Sequence, residues 1–162
     1  MKSIRIKKRG FTLIEILVVI GLIAILAAIV LIAINPSRQF AQARNSQRVS
    51  NVEAILNAVG QNLADNKGVF TCAGVAYAIS ATAVDIKNGA TNGDVANCLV
   101  PTYMASMPID PVGTTTAPTC TPTYVSSASY DTCYTIQKDA TSGRITVAAP
   151  DAELGQTISI TR

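Results

Sequence analysis

Between Ile16 and Ile34 the chain runs through nineteen consecutive apolar residues without a single charge. At about 1.5 Å per residue a helix of that length reaches roughly 28 Å, close to the ~30 Å hydrocarbon thickness of a bilayer. A helix that is apolar on every side needs more covering than one face of a small core provides. Two features frame the run. Lys2, Arg5, Lys7, Lys8 and Arg9 precede it with no acid among the first ten residues, and a lone carboxylate, Glu15, stands at its entrance. An acid beside an apolar span is costly unless it finds a partner, so Glu15 reads as functional.

Bulk composition misleads unless this segment is set apart. The formal charge is +3, from 13 basic and 10 acidic residues. Without the five basic residues of the first ten, eight remain against ten acids, which is −2. The basic excess belongs to the start of the chain, and bulk charge gives a nucleic-acid role no support. Beyond Cys72 the sequence is rich in Ala, Thr, Ser and Gly and has no Trp, so it supports only a modest core that covalent staples would help. Cys72, Cys98, Cys120 and Cys133 all follow the apolar run, none forms a Cys-x-x-Cys pair, and the chain has no His, which argues against zinc. Four cysteines in an exported region point to two disulfides with three possible connectivities. The sequence-local one, Cys72–Cys98 with Cys120–Cys133, is preferred, and free buried thiols are the alternative.

Three interpretations of the N-terminal segment compete. A secretory signal needs a 7–15-residue apolar stretch and a small-x-small cleavage site. This stretch is longer, carries Glu15, and ends at Ala33-Ile34-Asn35-Pro36. A plain single-pass anchor, oriented N-terminus inside by its basic flank, accounts for the topology but not for Glu15. The third accounts for both. The string Gly10-Phe11-Thr12-Leu13-Ile14-Glu15, between a short basic leader and an apolar helix, resembles the processing site of type IV prepilins and pseudopilins. The resemblance implies cleavage between Gly10 and Phe11 by a prepilin peptidase and methylation of the new amine. A glycine suits the accessible backbone that a protease must bind. Glu15 would then lie about one helical turn from the new N-terminus, where the Phe11 amine of a neighbouring subunit would compensate it during assembly.

Further along, Asn35-Pro36 restarts a helix, with Asn as N-cap and Pro at the first helical position. Ser37 to about Asp65 is helix-compatible, and Val52, Ile55, Leu56, Val59 and Leu63 form one apolar stripe with Ser50, Asn51, Asn57 and Asn62 assigned to the opposite side. Asn66-Lys67-Gly68 ends the helix. Residues 69–100 alternate weakly and hold turn signals at Asn88-Gly89 and Asn92-Gly93. A proline-punctuated loop spans Leu99–Gly113, and Thr114–Thr123 is expected to be irregular. Tyr130, Cys133–Ile136 and Arg144–Ala148 read as short strands, the last two joined by Asp139–Gly143, with Ile158 and Ile160 forming a final edge strand. Asn35-Pro36, Ala43–Arg48 and Met107–Gly113 extend the resemblance more loosely.

The resemblance implies an α+β, pilin-like fold. A long N-terminal helix, with an apolar membrane half, a proline break and an amphipathic half, packs on a small antiparallel C-terminal sheet. The corresponding divisions are a leader at 1–10, a transmembrane and filament-core helix at 11–34, an amphipathic helix at 35–68 and a disulfide-stapled β-rich region at 69–162. The acidic, glycine-rich calcium loop of major secretion pseudopilins is missing, and Asp131 and Asp139 read as solvated turn acids. No metal or cofactor is expected.

The chain has no His to act as a general base, no phosphate-binding loop and no Gly-x-Ser-x-Gly elbow, so it reads as the substrate of an enzyme and not as one. The expected role is structural: a subunit at the inner membrane, its C-terminal domain extracytoplasmic, that polymerises with copies of itself and related subunits. Its expected partners are prepilin peptidase, the inner-membrane assembly platform and membrane lipid, with nucleic acid discounted. Arg38, Arg44 and Arg48 read as packing or salt-bridge residues. A membrane-anchored extracytoplasmic binding module is the alternative, although Tyr103, Tyr124 and Tyr134 are scattered and mark no pocket.

Overall fold

The structure, a computed structural model, describes residues 10–33, 35–112 and 120–162, with Ile32 and Ala33 described by backbone only. The basic leader at 1–9, Ile34 and most of the Thr-rich run (113–119) lie outside the described residues. The chain divides into two compact units, Met1–Gln39 and Phe40–Arg162.

In the first unit helix α1 spans Leu13–Ala33. Its large apolar side chains are exposed on all sides, so none of its faces is covered by the described residues. Among the described residues Leu13–Leu31 is the one stretch long and apolar enough to cross a membrane, with a mean hydropathy of 3.1. Helix α2 spans Pro36–Asp65. Asn35 caps it as its sequence position predicts: Asn35 Oδ1 accepts the Arg38 N–H at 3.4 Å, and Pro36, lacking an N–H, occupies the first turn. At its far end Gly68 N–H reaches Leu63 O at 2.7 Å, a Schellman-type closure. The residue in left-handed conformation ahead of that bond is Lys67, at φ 56°, with Gly68 itself at φ 87°.

After α2 a small hairpin pairs β1 (Thr71–Cys72) with β2 (Val75–Ala76) across an Ala73-Gly74 turn. β3 (Val84–Lys87), a short α3 (Ala96–Leu99), β4 (Thr123–Ser126), β5 (Ser129–Lys138), β6 (Ile145–Ala149) and β7 (Ile158–Thr161) follow. The main sheet is antiparallel, in the order β3-β5-β6-β7, and β4 also pairs with β5. Strand β5 organises it: Tyr130 faces Tyr124 of β4, Ile136 faces Val84 of β3, and Thr135–Lys138 pair with β6. Tyr130 and Cys133–Ile136, read as separate short strands, belong to the single strand β5; the strand read at Arg144–Ala148 is β6, and Ile158 and Ile160 lie in the edge strand β7 as read. The hairpin, β3, β4 and α3 are additions, in a stretch where alternation is weak.

One face of the sheet is buried, with period two. Tyr130, Thr132, Tyr134 and Ile136 on β5, and Ile145, Val147 and Ala149 on β6, point into a core shared with Val52, Ile55, Leu56 and Val59 of α2. Burying each such Val, Leu or Ile stabilises the fold by about 1.5–3 kcal/mol.

The sequence pattern is corrected on one point. Asn51 and Asn62, assigned to the outer side of α2, are buried at 7% and 2% exposure. The buried line of α2 is Ala41, Asn45, Arg48, Val52, Ile55, Val59 and Asn62, at alternating four- and three-residue steps. The stripe is real, but polar residues flank its apolar centre, Asn45 and Arg48 on one side and Asn62 on the other.

Candidate functional site

The expected processing and assembly residues lie at the start of α1. Gly10 and Phe11 precede the helix and are exposed. A Cβ built on Gly10 would meet nothing within 4 Å, so no described neighbour requires glycine there. Glu15 is not left bare. Its Oε2 accepts the Thr12 backbone N–H at 2.8 Å and the Thr12 hydroxyl at 2.9 Å, while Thr12 Oγ1 accepts the Glu15 N–H at 3.3 Å. This is a reciprocal capping box, Thr12 at the N-cap and Glu15 three residues in, which satisfies donors that the first helical turn cannot. The helix N-terminus also favours a negative charge there. Thr12 was absent from the sequence-predicted set, although Thr12-Leu13-Ile14-Glu15 before an apolar run spells the signature of such a box.

In the second unit the polar ends of the buried α2 line have dedicated partners. The guanidinium of Arg48, 1% exposed, gives Nε to Asp110 Oδ2 at 2.6 Å, Nη2 to Asp110 Oδ1 at 3.0 Å and Nη1 to Glu153 Oε2 at 2.8 Å. Arg44 Nε adds a bond to the same Glu153 oxygen at 2.7 Å. Asn45 grips the Glu153 backbone at both its N–H and its C=O, each through the side-chain amide. Asn51 Nδ2 donates to Ile109 O and Tyr134 Oη, both at 2.9 Å.

The electrostatics follow this geometry. Burial alone would lower the pKa of Arg48, but the carboxylates of Asp110 and Glu153 override it and raise it. Hydrogen bonds from Arg44 hold Glu153 down to about 2, opposed by partial burial and reinforced by Arg48. Burial pushes the Tyr134 hydroxyl up to about 12. Arg44 and Arg48 are therefore salt-bridge residues: both hold Glu153, and Arg48, with Asn51 at Ile109 O, pins the proline-punctuated loop around Asp110 to α2.

Cys72 and Cys98 are brought to disulfide distance, joining the hairpin to α3, and so are Cys120 and Cys133, joining the approach to β4 with β5. This is the sequence-local pairing. Cys120, Asp131 and Cys133 form one cluster with metal-donor types, but its two sulfurs are bonded to each other, which leaves a single carboxylate. Asp139 is a turn acid as expected, accepting from Thr141 N and Ser142 N at 2.9 and 2.6 Å, which lowers its pKa. Asp131 is not one: it lies within β5 and accepts the Cys133 N–H at 3.1 Å.

Residues 5–31 match the prokaryotic N-terminal methylation motif, the prepilin-type motif of type IV pilins and pseudopilins. No curated protein and no solved structure gives a significant match to the chain. The matched segment contains Gly10, Phe11, Thr12 and Glu15 and most of α1.

Proposed function

We propose that this chain is the precursor of a pilin or pseudopilin, a structural subunit that polymerises from the inner membrane into a filament. A prepilin peptidase cuts between Gly10 and Phe11, and the new Phe11 amine is methylated. The methylation motif over residues 5–31 is the observation that carries this assignment. The apolar α1 and its capped acid support it.

The physical sequence of events follows from the first turn. The basic leader keeps the N-terminus on the cytoplasmic side while α1 spans the bilayer. In the unassembled chain Thr12 satisfies Glu15 through Oε2, and among the described residues Oε1 takes no hydrogen bond, which leaves it for an incoming cation. When subunits exchange lipid contacts for one another, water is excluded around the first turn and a charge pair there strengthens. The methylated amine of a neighbouring Phe11 is the cation available. Gly21, Ala24, Ala27 and Ala28 allow close approach between copies of α1. Head-to-tail packing that does not close yields a filament. The assembly platform, related subunits and lipid are the partners this role requires.

A filament assay on Glu15→Ala, beside a membrane-fractionation control, tests the proposal. Leader cleavage and membrane insertion should persist, because the scissile bond and the apolar span are untouched. Filament yield should fall sharply. Normal filaments from Glu15→Ala would remove the charge pairing from the account. Wild-type protein that is cleaved but never polymerises would favour the anchored binding module.

A further inference from the structure

We propose that Asn62 is a positioning residue for closure of the Cys72–Cys98 disulfide, holding both cysteine segments on α2 while the thiols are still free. While all four thiols are free, chain statistics do not select Cys72 as the partner of Cys98. Cys72 and Cys98 are 26 residues apart, whereas Cys98 and Cys120 are 22 apart. Loop-closure entropy therefore favours the wrong partner for Cys98 by a factor of about 1.3. Closure of Cys120–Cys133, only 13 residues apart, removes that competitor; until it forms, something in the folding chain has to reverse the preference.

The Asn62 amide does so with one side chain. Nδ2 donates to Thr71 O at 2.9 Å and to Cys98 O at 3.2 Å, and Oδ1 accepts the Thr71 N–H at 2.9 Å. The two bonds to Thr71 imitate a β-bridge and fix the residue immediately before Cys72. The third bond holds the backbone of Cys98 itself. Asn62 is 2% exposed, and its backbone carbonyl also takes the Asn66 side-chain amide at 2.8 Å, which steadies the helix end that carries it. Buried groups so fully paired define one geometry strongly, because each lost bond leaves an unsatisfied polar atom. At the other pair the Asp131 carboxylate lies 3.2 Å from Cys120 Sγ and accepts the Cys133 N–H at 3.1 Å, but it sits between the two cysteines in sequence and does not tie either of them to α2; their 13-residue spacing already makes closure easier.

With glutathione disulfide as oxidant the chemistry balances. A thiolate of one cysteine attacks a glutathione sulfur and releases one glutathione thiolate. The second cysteine's thiolate then displaces the other glutathione, so two protein thiols lose two electrons and two protons while one glutathione disulfide becomes two glutathiones. Asn62 takes no part in the bond changes; it raises the effective concentration of the second thiol.

The test uses full-length protein, reduced in detergent and reoxidised with glutathione disulfide. Free thiols are trapped by alkylation at intervals, and disulfide-linked peptides are mapped by mass spectrometry. The readout is the rate of Cys72–Cys98 closure divided by that of Cys120–Cys133 in the same molecules. Asn62→Leu removes all three bonds, and Asn62→Asp keeps only the acceptor for Thr71 N–H. Both should lower the ratio by roughly tenfold and let Cys98–Cys120 accumulate, the scale expected for two or three net hydrogen bonds. A general loss of stability would slow both closures and leave their ratio unmoved. A ratio equal to that of the wild type in both variants, whether or not they fold, would overturn the proposal.

Discussion

The two long helices meet their polar and apolar obligations in opposite ways. α1 is apolar throughout, yet its described side chains are exposed, and its single acid is satisfied by a residue three positions away. α2 is polar in composition, yet it supplies one side of the core, and its buried Asn45, Arg48, Asn51 and Asn62 each have, besides neighbours three or four positions away, partners 9 to 111 residues distant in sequence. Burial in this chain thus does not follow hydropathy. The face of α1 is left uncovered by the described residues, whereas the face of α2 is completed within the second unit. The first should tolerate apolar exchange without harm to the fold, and the second should be intolerant of losing any one polar side chain.

The largest test of that contrast is Arg48→Met. It leaves the buried Asp110 carboxylate without its guanidinium and should cost the second unit about 3–5 kcal/mol in denaturant unfolding. The double variant Arg48→Met with Asp110→Leu should recover most of that loss, because no buried charge is then left uncompensated. A single-variant cost below about 1 kcal/mol would place the ion pair with ordinary surface bridges and break the comparison.

Acid titration gives a smaller effect with a definite sign. Glu153 has its pKa depressed from the ordinary 4.5 to about 2, so its contribution is complete above pH 4.5 and is lost as pH falls toward 2. Glu153→Gln should therefore be less stable than the wild type at neutral pH, by about 1 kcal/mol because solvent screens a partly exposed carboxylate. That difference should shrink between pH 4.5 and 2. A difference independent of pH would assign the loss to packing alone.

The smallest effect belongs to α1. Thr12→Ala removes the side-chain half of the capping box and should reduce hydrogen-exchange protection of the first turn about fivefold, the scale of a lost N-cap. Denaturant unfolding of the second unit should not move. A shift there would show that the first-turn box acts beyond α1.

How much of this was legible in the sequence follows the same divide. α1, the Asn35 cap, the end of α2 and the alternating strands β5 to β7 are coded by neighbours close in sequence, and each could be read from spacing. The inward turn of Asn51 and Asn62 could not be read by sorting residues on polarity, since their partners lie in distant loops. Counting positions would have found most of it: Asn45, Arg48, Val52, Ile55, Val59 and Asn62 follow the helical period whatever their chemistry. β3, β4 and the hairpin are two to four residues long and draw their pairing from β5, which leaves little local signal. The capping box was present in plain form at Thr12 and Glu15, and attention to the charge of Glu15 obscured its geometric role.

A prepilin-type precursor is recognised by the mass of the N-terminal peptide from protein made in a cell with a prepilin peptidase. Processing should yield a peptide that begins at Phe11 and carries one methyl group on its amine, and Gly10→Val should abolish it. An intact Met1 start, or cleavage near Ala33, would contradict the account.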